Sequence, residues 1–146
     1  MTAPRIVVAG LGPAGPEYVT AAVTAAIARV PVQFVRTRRH PSASVVEAAA
    51  SFDDAYERHE TFAAVYHDIA TRLVAAAQQH GEILYAVPGS PLVLERTVAL
   101  LRDDERIEVE VLPALSFLDL AYDRLRIDPL EAGVRLVDGH DFAAAA

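Results

Sequence analysis

The 146-residue sequence contains no cysteine. That excludes disulfides, thiolate catalysis and zinc–thiolate sites. It also lacks a basic excess: 13 Lys and Arg stand against 20 Asp and Glu, a formal net charge of −7, with pI near 5.1. Broad nucleic-acid binding needs a basic surface to neutralise phosphates, so no nucleic-acid partner is expected. An anionic small molecule in a local basic pocket stays compatible with these numbers. No uninterrupted apolar run approaches the roughly 20 residues of a membrane span. No apolar stretch preceded by positive charge marks a secretory signal at the N-terminus. A soluble, cytoplasmic protein without a membrane partner is the expectation. The five histidines, His40, His59, His67, His80 and His140, show no HExxH spacing. Asp53, Asp54, Glu57 and Glu60 form no complete metal-binding pattern, and no metal site is expected.

What the chain does have is apolar material, 53% hydrophobic against 23% charged residues, enough to bury a core. Its length suits one domain, or one domain and part of another. Arg5–Ala9 is a short apolar run without alternation, which predicts a buried, interior, parallel strand. The loop Gly10–Gly15 follows, then a helix from Pro16 with Val19, Val23, Ala26, Ile27 and Val30 at helical spacing, ended by Pro31. Val32–Val35 predicts a second strand, leading into the basic segment Arg36–Pro41. Ser42 or Ser44 can cap a short helix through Ala50. Ser51–Glu60 reads as a polar surface connection. Phe62, Val65, Tyr66, Ile69 and Leu73 mark an amphipathic helix that stops at His80-Gly81.

Ile83–Val87 predicts another strand, stopped at Pro88-Gly89, and a helical pattern runs from Leu92 to Leu101 with Ser90 as its cap. Ile107–Leu112 alternates, which predicts a strand nearer the sheet edge. Pro113–Ser116 is a loop, Phe117–Leu125 a short helix, and Val134–Val137 a possible short strand. Strands alternating with helices indicate α/β: a mostly parallel open sheet covered on both faces. In such sheets ligands sit at loops leaving the carboxyl ends of strands. Two loops qualify, Gly10–Gly15 and Val87–Pro91.

The spacing Gly10-x-Gly12-x-x-Gly15 formally matches the dinucleotide fingerprint, which alone is a weak signal. An acid expected after the second strand is replaced by Arg36, which would suit only NADP. Pro13 and Pro16 also remove two backbone donors a pyrophosphate would use. A glycine turn that lets strand and helix pack explains the spacing as well. Arg36, Arg38, Arg39 and His40 could form an anion site, though such runs are more often solvated loops. Glu95 and Arg96 read as surface or ion-pair residues. Ser90 and Ser116 show no His–Asp pairing, and Gly89-Ser90-Pro91 is not a nucleophile elbow.

Together these segments carry more than each alone. VVAGLGPAGPEYVTAAV, ILYAVPGSPLVLERTVALL and EVEVLPALSFLDLAYDRLRIDP resemble, in order and spacing, the tetrapyrrole (corrin/porphyrin) methylase family of S-adenosylmethionine-dependent methyltransferases. RTRRHPSA and SFDDAYERHETFAAVYHDIA bring the resemblance nearest to the methylase-like N-terminal domain of MazG-type proteins. The resemblance implies an N-terminal α/β domain over 1–113, with 114–146 a linker and the beginning of an incomplete second domain. It implies S-adenosylmethionine as cofactor, bound near Val87, Pro88, Gly89, Ser90 and Pro91 and near Ala114, Leu115 and Ser116. Gly10, Gly12, Pro13 and Gly15 would line a substrate trough. Catalytic residues stay unassigned, because methyl transfer from a sulfonium relies chiefly on in-line positioning. A small-molecule methyl acceptor, a homodimer and a downstream MazG-type nucleoside triphosphate pyrophosphohydrolase are the implied partners. Three departures bear on activity. Ser90 stands where many members have the Asp of Gly-Asp-Pro. Ala114 stands where Pro-Gly-x-Ser-Ser has glycine. The first loop reads Gly-Pro-Ala-Gly. The alternative reading is a catalytically idle binding or regulatory domain.

Overall fold

Strand β1 (Arg5–Gly10) is buried from Ile6 onward on both faces, as its unbroken apolar run requires. The computed structural model describes residues 2–145. In it β1 lies between β5 (Glu108–Leu112) and β4 (Glu82–Val87), and beyond β4 come β2 (Gln33–Val35) and then β3 (Ala50–Ser51). The five strands run in the order β3-β2-β4-β1-β5, and all pairs are parallel. β5 sits at an edge, and Arg5 pairs across to its Glu110 at 2.5 Å.

Helices cover both faces. On one, α2 (Asp53–Arg58), α3 (Phe62–His80) and α4 (Arg96–Arg102) pack Ala55, Ile69, Leu73 and Leu101 against Ile6, Val8, Ile83, Tyr85 and Val87. On the other, α1 (Ala21–Arg29) and a 3-10 turn over Pro41–Val46 pack Val23, Ala26 and Val46 against Val7, Ala9, Leu84 and Ala86. Thr61 caps α3 by accepting from the Ala64 amide at 3.2 Å, and Gly81 closes it. α5 (Phe117–Leu125) and α6 (Phe142–Ala145) complete the chain. Among the described residues no helix is long and apolar enough to cross a membrane.

Five local expectations change. The short helix expected from Ser42 or Ser44 through Ala50 is instead a 3-10 turn over Pro41–Val46 with His40 at its N-cap, and Ala50 belongs to β3. The first helix is split: a 3-10 turn over Pro16–Tyr18 precedes α1, because Thr20 accepts from the Val23 amide and starts the helix anew. Ser51–Glu60 is not a plain connection, since Ser51 belongs to β3 and α2 follows. The Asp53 carboxylate organises that turn, accepting from Thr37 Oγ1, the Arg38 amide and Ser51 Oγ. The helix expected from Leu92 begins only at Arg96. Val134–Val137 forms no strand.

The connections explain where a ligand would go. From β1 the chain passes through α1 to β2 on one side, and from β4 it passes through α4 to β5 on the other. The loops after β1 and β4 therefore diverge from neighbouring strands. That is the topological switch point at which open α/β sheets hold their ligands.

Candidate functional site

The loops after β1 and β4 are joined by backbone. Leu11 N donates to Val87 O at 2.8 Å, Gly12 N to Gly89 O at 3.2 Å and Gly89 N to Gly12 O at 2.8 Å, an antiparallel bridge between two parallel strands' ends. Gly10 lies beneath it. A Cβ there would stand 2.5 Å from Ala114 Cβ, 2.7 Å from Pro91 Cδ and 2.8 Å from Gly89 O. All three segments singled out in the sequence thus converge on Gly10. Gly89 has φ +65°, and the space where its Cβ would project is open to 4 Å. A ligand can approach the backbone there as no side chain would permit.

Other candidate residues take different roles. Val87 is buried inside its strand and meets the loop only through its carbonyl. Pro88 is half-buried, and Ser90 and Pro91 are buried. Ser90 does not cap α4; its Oγ accepts from the Leu92 amide at 3.2 Å and holds a turn. Ser116 caps α5, accepting from Leu118 N while its own amide donates to Asp119. Leu115 and Pro113 are exposed. Pro13 and Gly15 are half-buried on the far side of the first loop, where Ser42 Oγ donates to Ala14 O at 2.7 Å.

Two cavities flank the junction. One, about 570 Å³, opens between the first loop (Ala14, Glu17, Tyr18) and α5 (Phe117, Leu120, Arg124). The other, about 340 Å³, is lined by Arg36, Thr37, Arg39, Asp53, Tyr56 and Glu57 at the carboxyl ends of β2 and β3. Val87–Pro91 line neither.

The basic segment is neither an open anion site nor a wholly solvated loop. Arg36 Nη1 bonds Glu95 Oε1, and the Glu95 side chain is 3% exposed. Arg38 donates to the carbonyls of Val46, Glu47 and Ala49. His40 Nδ1 accepts from the Ser42 amide at 3.2 Å. Its pKa is pushed down by burial and by the Arg36 charge. Burial raises the Glu95 carboxyl above its ordinary range, although Arg36 pulls the other way. Burial, and then nearby Glu95, push the Tyr85 hydroxyl well up. Asp53 is pulled below its ordinary value: burial opposes this, but the bonds from Ser51, Thr37 and Arg38 outweigh it. The sequence allowed Glu95 as an ion-pair residue but did not name Arg36 as its partner. The one local signal was an acid directly after the apolar run Pro91–Leu94. Among the described residues no group of three or more His, Cys, Asp or Glu could hold a metal ion.

The site therefore offers glycine backbone, open space and few groups able to move a proton. Its chemistry is holding and orienting. The family model described as Tetrapyrrole (Corrin/Porphyrin) Methylases matches residues 5–137. The chain belongs to this family.

The chain is 38% identical over 147 residues to the uncharacterized protein YabN of Bacillus subtilis (strain 168), across 96% of this chain and 30% of YabN. Precorrin-6Y methylase from Archaeoglobus fulgidus superposes with a TM-score of 0.71 at 24% identity, over 93% of this chain and 65% of that one. Uroporphyrin-III C-methyl transferase from Thermus thermophilus, complexed with S-adenyl homocysteine, gives 0.58 at 23%, over 78% and 46%. The fold is thus that of tetrapyrrole methylases, and this chain spans less than two thirds of each of these relatives.

Proposed function

We propose that this chain is the first domain of an S-adenosylmethionine-dependent methyltransferase of the tetrapyrrole methylase type, acting on a small-molecule acceptor. The carrying observation is the convergence of the three loops at Gly10, with the space beyond Gly89 left open. S-adenosylmethionine would supply an activated methyl group on a sulfonium. The chain's own part would be to hold the cofactor along Pro88–Pro91 and Ala114–Ser116, and the acceptor along the Gly10–Gly15 side. Rigid backbone at a strand switch point suits that task, because in-line placement can supply much of such catalysis. Residues 1–113 would form the first half of the cleft, and 114–146 would lead to the second. A homodimer, in the cytoplasm, completes this reading. Calorimetric titration with S-adenosylmethionine tests it. Binding by this chain, or by a longer polypeptide carrying it, is expected; failure of both would refute the cofactor assignment.

A second reading has its own support. Ser90 replaces the acid of Gly-Asp-Pro, and its hydroxyl is committed to the Leu92 amide. No carboxylate is offered from that position. This favours a catalytically idle binding domain, normally joined to a MazG-type nucleoside triphosphate pyrophosphohydrolase. In YabN the matched part is 30% of the length, which leaves room in that protein for further domains. The discriminating measurement is methyl transfer by the longer polypeptide: cofactor binding without turnover over a panel of tetrapyrrole acceptors supports the idle domain.

A further inference from the structure

We propose that the buried Arg36–Glu95 ion pair is a positioning brace for the segment Pro91–Glu95, setting the shape of the proposed cofactor loop from the β2 side of the sheet. The inference rests on the cofactor reading above for its functional meaning, and on geometry for the brace itself.

After the Gly12–Gly89 bridge, the path toward α4 is held locally by the turn in which the Leu92 amide donates to Ser90 Oγ and the Val93 amide to Ser90 O. Leu92 and Leu94 are 56% and 65% exposed, so apolar burial does not anchor them. Leu94 adopts φ +54°, a left-handed conformation that costs a branched side chain energy and persists only where its surroundings impose it. Two attachments bound this stretch. At one end, Ser90 and Pro91 are buried beside Gly10. At the other, Glu95 turns inward, 8% exposed, to a guanidinium 59 residues away in sequence. Glu95 occupies the N-cap position of α4 yet makes no capping bond with its side chain. The carboxylate is spent on Arg36 instead.

Stability alone does not account for such a pair. A buried ion pair is often matched or bettered by apolar residues of similar volume, because desolvation offsets the attraction. Here the surroundings are polar beyond what the pair needs. Arg36 Nε, Tyr85 OH and Thr97 Oγ1 are buried without a hydrogen-bond partner among the described residues. What an ion pair supplies, and an apolar contact does not, is a directional bond that fixes one loop relative to another. Arg36 also lines the 340 Å³ cavity, so the brace links that cavity's wall to the root of the cofactor loop. Arg36 and Glu95 are positioning residues, not catalytic ones.

The test compares the wild-type chain with R36M/E95L, which replaces the pair by apolar side chains, and with E95Q, which leaves Arg36 without a charged partner. Amide hydrogen exchange of residues 92–95 is read without ligand, beside the melting temperature and the S-adenosylmethionine affinity. The brace predicts that R36M/E95L keeps a cooperative melt while amides 92–95 exchange about tenfold faster, with cofactor affinity reduced about tenfold; for both, that factor corresponds to about 1.4 kcal/mol. E95Q should show the same local exchange together with a lower melting temperature. Wild-type exchange at 92–95 in a folded R36M/E95L would overturn the brace. Should R36M/E95L fail to fold, E95Q exchange at 92–95 no faster than in the wild type would overturn it equally. If the wild-type chain and its longer form both fail to bind cofactor, the cofactor reading falls, and the exchange data still decide the brace.

Discussion

Gly10 shows how one missing methyl group can hold three loops together. Its Cβ position is bounded by Ala114, Pro91 and the Gly89 carbonyl, and the carbonyl belongs to a loop pinned by its own backbone bonds. Gly10→Ala should therefore cost about 1–3 kcal/mol by overpacking, read as a lower urea midpoint. Gly89→Ala meets only backbone strain at φ +65°, since its Cβ would enter open space. It should cost about 1–2 kcal/mol and act chiefly on ligand affinity. At Asp104, bonds from the Arg106 side chain and amide pull the carboxyl down to about 2. A carboxyl lowered in the folded state stabilises it above the ordinary carboxylate range, and that contribution is lost as pH falls to about 2. In an NMR titration Asp104 should titrate at about 2, and Arg106→Ala should return it toward the ordinary range.

At the scale of elements, α3 is the helix on which one face of the sheet depends. Leu73 is wholly buried among Ile6, Ile83 and Tyr85 of that face's core, whereas Phe62 at the helix start is exposed and stacks only on Tyr66. Leu73→Ala should lower stability by about 2–5 kcal/mol, and Phe62→Ala should stay within about 0.5 kcal/mol, both from denaturant unfolding. The same contrast explains what could be read in the sequence. β1, β4 and α3 were legible because long apolar patterns answer to one buried surface. β3 was not, since two residues carry no period and are placed by pairing with Phe34 and Val35. α2 was hidden because Asp53 and Asp54 look like surface residues, while Asp53 is committed to Thr37 and Ser51. The helix start at Arg96 rather than Leu92 follows from Glu95 turning to Arg36, a tertiary contact that no local spacing encodes. The loop residues Gly10, Gly89 and Ala114 were named individually, but their meeting point required the strand order.

Taken as a whole molecule, the chain divides its apolar surface unevenly. No described residue after Ser116 is buried. α5 carries Phe117 and Leu125 exposed, and Leu130, Leu136 and Phe142 follow in the same state. Exposed apolar surface on this scale marks a region that gains stability from a partner. Without one, few buried contacts hold it to the sheet, so its opening free energy should fall well below that of the core. Limited trypsin digestion should accordingly cut after Arg124, Arg126 and Arg135 before it cuts after Arg29 or Arg102, which lie in helices facing the two cores. The first resistant product should retain β1 to β5. A homodimer covering this surface would make the same cleavages slower as protein concentration rises, because proteolysis of an opened segment tracks its open population. Simultaneous loss of the C-terminal segment and the core, at every concentration, would mean that residues 117–145 are integral to the fold of the sheet rather than a surface awaiting its partner.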